Sequence, residues 1–265
     1  GLLMISELPR FLRQQRLVVC KTTHFVNCGK RETDPIYCDV KVAVDTKVQV
    51  PTGVTMLVER EDSGTRLVVS ISIDMDGDIR LHVHYNRKDD EALEMATKFH
   101  SDFKRFFIEN GPLKGSVFDG KLTFLHRNTG ASAKLVLPPH IERSVDRHIK
   151  DFIRMRDKLL AKGQETNRGI ILSGAPGTGK TLLIRSIIEQ TDQTVIVVGP
   201  EQAAERGYVA EMFRMARDFA PVLLVMEDID NGVGIHRKLR DHPILGECLN
   251  ALDGVSRNDG IFTIA

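Results

Sequence analysis

Gly174-Ala175-Pro176-Gly177-Thr178-Gly179-Lys180-Thr181 decides how this chain is read. An apolar run, Gly169-Ile170-Ile171-Leu172-Ser173, precedes it, and Leu182-Leu183-Ile184-Arg185-Ser186-Ile187-Ile188, patterned as a helix, follows. The octapeptide meets the phosphate-binding P-loop pattern at every required position. Three glycines let the backbone turn tightly enough for successive N–H groups to converge, and the next helix adds its positive dipole end at the same point. A polyphosphate is the expected guest, with Lys180 reaching its terminal phosphates and Thr181 offering a hydroxyl to a bridging magnesium ion. The flanking strand and helix separate this match from a glycine-rich turn that holds no ligand.

Working outward, Leu135-Val136-Leu137-Pro138-Pro139 leads into a predicted helix carrying Ile141, Val145, Ile149, Phe152, Met155 and Leu159, stopped by Gly163. Downstream come a strand over residues 194–198 and a helix with Val209, Met212, Phe213, Ala216 and Phe219 on one face. A break at Pro221 leads to a strand, Val222 to Met226, that delivers Glu227-Asp228-Ile229-Asp230. A helix with Ile244, Leu245, Cys248, Leu249 and Leu252 precedes Gly254, and residues 260–265 open another strand. Strands alternating with helices predict a parallel sheet with ligands at its carboxyl ends. Glu227 and Asp228 are expected at the end of a strand neighbouring the P-loop strand. They supply the magnesium-organising carboxylate and the water-positioning base that nucleotide hydrolysis needs. Asp228 also suits the capping of a following helix, Asp230 suits a turn cap, and Cys248 suits packing.

The first part of the chain carries strand signals up to about residue 85. They are Leu17 to Cys20, the period-two pattern from Tyr37 to Val50, Val54 to Val58, and a hairpin of residues 67–73 and 79–85. Asp74, Asp76 and Asp78 in the hairpin turn alternate as calcium ligands do, but the glycine falls one place early and Tyr85 stands where the loop needs Glu. His82 and His84 share one face of a strand, which reads as a solvated face. Asp89-Asp90 opens a helix whose stripe of Leu93, Ala96, Phe99, Phe103, Phe106 and Phe107 is core and not a base-stacking platform. Short strands are expected around residues 115–118 and 122–126, and the polar turn Arg127 to Ser132 marks a domain boundary. This gives an α+β domain over residues 1–134 and a second domain over 135–265. Cys20, His24, Cys28 and Cys38 supply zinc-type ligands, but nine residues separate Cys28 from Cys38 and Cys38 lies inside a strand pattern, so the group reads as buried or incidental thiols without metal.

Lys+Arg 37 against Asp+Glu 36 leaves a net charge of +1 over 265 residues, so nucleic acid is disfavoured as a partner. No apolar stretch reaches bilayer length, and the scattered cysteines with no signal peptide suit a cytoplasmic setting. Gly1-Leu2-Leu3, ahead of Met4, is left out of the fold reading.

Residues 174–181, the Ala220-Pro221 lead, Glu227 to Asp230 and Leu249-Asn250-Ala251-Leu252-Asp253-Gly254 together resemble the AAA+ ATPases, in the AAA proper branch. The resemblance covers about residues 135–265. It implies a P-loop NTPase sheet sandwiched by helices, the large AAA+ subdomain in incomplete form, preceded by the smaller α+β domain. It implies ATP and magnesium as cofactors, contacted by Gly174, Ala175, Pro176, Gly177, Thr178, Gly179, Lys180, Thr181 and Leu182. Thr181 would hold the metal directly and Glu227 through water, with Lys180, Glu227 and Asp228 catalytic. It further implies a homo-oligomeric ring, a hexamer by family habit, and a protein client recruited by the N-terminal domain for remodelling.

Three departures qualify these expectations. The Walker B order is Glu227 then Asp228 where most of the family has Asp then Glu, an order similar to the mitochondrial AAA proteins that translocate the Rieske iron–sulfur subunit and to some bacterial AAA proteins. Asp228 is one methylene shorter than Glu, and a misplacement of about 1 Å can cost roughly a hundredfold in rate. The loop after Val198 lacks the family's aromatic-aliphatic-glycine trio, and Tyr208 is expected to begin a helix. The polar sensor, arginine fingers and lid are expected beyond Ala265, and Arg257 is not read as a finger. The alternatives are a nucleotide-controlled binding module with slow hydrolysis and a P-loop small-molecule kinase.

Overall fold

The chain begins with two short helices, α1 (Leu2–Ile5) and α2 (Leu8–Gln14), where strands were expected. Leu8, Phe11 and Leu12 stand at i, i+3 and i+4, and Pro9 lies in the first turn of α2, where no N–H is missed. Leu3, set aside in the sequence reading, is buried with Ile5 and belongs to the core. The computed structural model describes residues 1–26, 31–73, 79–164, 166–203, 205, 207–227 and 258–265. It divides into two compact units, Gly1–Pro112 and Leu113–Ala265.

In the first unit β1 (Leu17–Val26), β2 (Arg31–Glu32), β3 (Tyr37–Ala43), β4 (Thr46–Pro51), β5 (Gly53–Arg60), β6 (Arg66–Ile73) and β7 (Ile79–Tyr85) follow in order. Five of them form an antiparallel sheet ordered β2-β1-β5-β6-β7, while β3 and β4 pair separately. The period-two pattern over residues 37–50 is therefore two strands. Asp89 caps α3 (Asp90–Asn110) by accepting the Ala92 amide at 3.0 Å. Phe99, Phe103, Phe106 and Phe107 are buried as expected, and Phe11 packs its ring 5.2 Å from Phe99 and 5.0 Å from Phe103. Leu93, expected in that stripe, is 42% exposed. The expected calcium-like turn, Asp74 to Asp78, lies outside the described residues.

The second unit comprises β8 (Val117–Asp119), α4 (Pro139–Val145), a π-helical turn at Asp146–Lys150, α5 (Asp151–Ala161), β9 (Arg168–Ile170), α6 (Lys180–Gln190), β10 (Thr194–Val198), α7 (Pro200–Ala203), α8 (Tyr208–Asp218), β11 (Val222–Met226) and β12 (Ile261–Ile264). Its sheet is all parallel, ordered β8-β10-β11-β12-β9. Val225, Ile264, Val195 and Leu223 are fully buried in it, covered by Ile149, Leu183, Ile184 and Ile187 from the helices. This is the α/β P-loop architecture that the alternation of strands and helices predicts.

The expected domain boundary at residue 134 falls inside the second unit. Val117 to Asp119 extend the parallel sheet beside Val195 to Val197, so residues 113–134 are built into it. The polar turn that reads as a linker is an anchor. Arg127 donates to the carbonyls of Gly115, Ile188, Gln193 and Thr191, closing the carboxyl end of α6. Glu189 accepts the Thr129 amide and hydroxyl and the Ala131 and Ser132 amides at 2.7–2.9 Å. The Ser132 hydroxyl and amide, then the Ala131 amide, hold the Glu189 carboxyl well below the usual carboxylate range.

Candidate functional site

Because every strand of this sheet is parallel, the segments leaving β9 and β11 emerge at the same edge. The ladder continues one step past each: Leu172 donates to the Ala265 carbonyl at 2.7 Å, and Glu227 donates its amide to the Val198 carbonyl at 3.0 Å. The expectation that Glu227 ends a strand neighbouring the P-loop strand is corrected here. β12 lies between β9 and β11, so the two elements stand two interstrand steps apart, about 10 Å. The gap leaves room at the sheet edge for a ligand that touches both. β9 also stops earlier than the apolar run suggests, and Ile171 is 78% exposed.

Residues 174–181 form a loop closed on itself. Gly177 and Gly179 take φ of +78° and +92°, which side chains rarely adopt, and Gly179 is the N-cap of α6. Gly174 approaches Thr178 closely: a Cβ there would meet the threonine Oγ1 at 3.0 Å. Thr178 donates its hydroxyl to the Ala175 carbonyl at 2.8 Å, holding the turn. Helix geometry leaves the amides of Lys180, Thr181 and Leu182 without an intrahelical acceptor, since Leu183 is the first to reach back, to the Gly179 carbonyl at 2.9 Å. The N-cap, Gly179, has no side chain to cap this end.

Lys180 completes the ring. Its ammonium donates to the carbonyls of Gly174 at 2.7 Å and Ala175 at 3.2 Å, so the charge is held over the loop with donor capacity left. The Thr181 side chain at the next position is exposed. Three free amides, an ammonium, a hydroxyl and a helix dipole make a set of donors with no acceptor charge, which fits the phosphates of a nucleotide. A divalent cation fits the Thr181 hydroxyl and the half-buried Glu227 carboxylate as oxygen donors.

The remaining expected site residues are placed as follows. Asp228, Asp230, Arg257, Cys248 and the stretch Leu249 to Gly254 lie outside the described residues. Tyr208 opens α8 as expected, after Gly207 at φ +78°. Its hydroxyl is buried, has no hydrogen-bond partner among the described residues and lies against Gly120. Burial, then Asp119, Glu205 and Glu211, push the Tyr208 phenol up. In the first unit Cys20 and Cys38 are free thiols, Cys28 is outside the described residues, and no group of three metal-type ligands occurs among the described residues. The Arg127 and Glu189 anchor behind α6 was missed. The only signal for it was a polar turn containing an arginine.

Residues 170–265 match the family model of AAA, the ATPase family associated with various cellular activities. The chain is similar to the ATP-dependent zinc metalloprotease FtsH 2 of Thermoanaerobacter, 29% identical over 175 residues, which is 61% of this chain and 34% of that protein. It is 32% identical over 130 residues to FtsH of Haemophilus influenzae, 44% of this chain and 20% of that protein. With the zinc metalloprotease YME1 homolog of Caenorhabditis elegans the identity is 33% over 132 residues, 44% of this chain and 18% of that protein. The chain thus spans about a third or less of the relatives it matches. No described helix is long and apolar enough to cross a membrane.

Proposed function

The second unit belongs to the AAA+ ATPases, and on that premise we propose that the chain binds ATP with magnesium at residues 174–182 and hydrolyses it to remodel a protein client. The observation that carries the reading is the donor set at the head of α6, three free amides beneath the Lys180 ammonium. Those amides and Lys180 bind and orient the phosphates, and Thr181 and Glu227 hold the metal, Glu227 through water. Bound magnesium would neutralise charge that builds on the phosphate oxygens. Asp228 takes the role of orienting the attacking water, and the first unit that of recruiting the client. A homo-oligomeric ring, a hexamer by family habit, completes the proposal. ATP turnover of the complete protein beside Lys180→Ala and Asp228→Asn tests it. Both variants should lose turnover, and parental rates in both would remove the assignment.

A second reading, a nucleotide-controlled binding module with slow hydrolysis, is supported by Tyr208. An aromatic grip on a threaded polypeptide needs an exposed ring on a loop, whereas Tyr208 sits in the first turn of α8 with its hydroxyl buried. Under this reading partner affinity changes between ATP, ADP and no nucleotide while turnover stays low.

A further inference from the structure

β7 carries two side chains that the packing of the first unit does not use. His82 and His84 alternate along the strand, so both project from the sheet face opposite to buried Leu67, Val69 and Ile71, and both are exposed. Their rings lie side by side, with centroids 6.2 Å apart and planes 25° from parallel. Alternation alone makes them a solvated face. The ring geometry makes them a pair.

The neighbouring strand does not compete for the imidazole nitrogens. Ser70 stands opposite His82 in register, and Val68 stands opposite His84. The Ser70 hydroxyl is turned to Thr55 on β5, Oγ to Oγ1 at 3.0 Å, and valine offers no polar side-chain atom. Arg80, the next residue on that face of β7, has an interaction of its own. Beyond the contact of the two rings, neither histidine has a partner among the described residues. Both nitrogens of both rings are therefore open, on side chains that the strand holds next to each other.

We propose that His82 and His84 together chelate a borderline transition-metal cation such as Zn²⁺. Imidazole suits such ions, whereas calcium and magnesium call for carboxylate and carbonyl oxygens, and β6 and β7 place no carboxylate beside the rings. Zinc–nitrogen bonds of about 2.0–2.1 Å at a tetrahedral angle set two bound ring centres about 5 Å apart. From 6.2 Å the pair closes by about 1 Å, which rotation of two exposed side chains between allowed angles supplies. No group of three metal-type ligands occurs among the described residues, so water fills the remaining positions and the ion is open and exchangeable, unlike a structural zinc. The site shares no residue with the phosphate-binding loop and does not depend on how that loop is read.

The test is a Zn²⁺ titration of the full chain followed through its imidazole proton resonances, with His82→Ala and His84→Ala identifying the two signals. Both signals are expected to move together and to saturate at the same midpoint. In His82→Ala the His84 signal should need about tenfold or more Zn²⁺, and the converse should hold in His84→Ala, because two ligands on one strand act at a high effective concentration. His126→Ala, which replaces an exposed histidine of the second unit, should leave both signals titrating as in the parent, and Mg²⁺ should move neither. His82 and His84 are exposed, so neither replacement opens the core. Signals that stay still up to about 1 mM Zn²⁺, or that move with unchanged affinity when the other histidine is absent, would overturn the proposal. So would sedimentation showing a doubled mass with Zn²⁺ that His82→Ala removes, since two copies would then share the ion.

Discussion

Gly179 stands at φ +92° at the head of α6, and a Cβ added there would meet no neighbour within 4 Å, so what excludes other residues is the backbone and not space. Gly179→Ala is expected to cost about 1–2 kcal/mol of stability and to weaken nucleotide binding, because relieving the strain turns the free amides away from their common focus. Thermal unfolding and nucleotide titration check it, and an unchanged transition with unchanged affinity would contradict it. Tyr208 gives the opposite expectation. Its buried hydroxyl has no partner among the described residues, so Tyr208→Phe should leave stability unchanged or raise it by about 1 kcal/mol. A loss of stability in urea unfolding would mean that the hydroxyl has a partner and that the site at Gly120 is built differently.

At the scale of elements, α6 is held at both ends: the P-loop at its start and the Arg127 and Glu189 anchor at its finish. The depressed carboxyl of Glu189 contributes stability that is present above the unfolded value, about 4.3, and is lost as pH falls toward its folded value. The urea midpoint followed from pH 7 to pH 3 should therefore fall less steeply below about pH 4.3 in Glu189→Gln than in the parent. Parallel acid limbs would contradict the assigned role. The P-loop was legible in the sequence because its chemistry uses eight contiguous residues, and α8 because its apolar residues repeat at helical spacing. The anchor was not, because Arg127 and Glu189 meet only when the chain folds, and Thr129, Ala131 and Ser132 look like any polar turn until their amides find a carboxylate. The same cause moved the domain boundary from residue 134 to Pro112. Strand order was equally hidden, since nothing in the spacing between Ile170 and Glu227 says that β12 will lie between their strands. The opening helices were legible in Leu8, Phe11 and Leu12 but were overlooked beside the stronger strand signals that follow.

At the scale of the whole molecule, the AAA+ reading predicts that the full-length protein assembles. Sedimentation should show a shift to a larger species with ATP, and a monomer with and without nucleotide would favour the binding-module reading and remove the ring. The account stands most directly on whether residues 174–181 hold nucleotide at all. Calorimetric titration of the full-length protein with Mg·ATP measures this. Lys180→Ala should lose about 1.5–3 kcal/mol of binding, the worth of a charged hydrogen bond, while Asp228→Asn, which removes the water-orienting group and not a phosphate donor, should bind as the parent does. Parental affinity in Lys180→Ala would contradict the central claim.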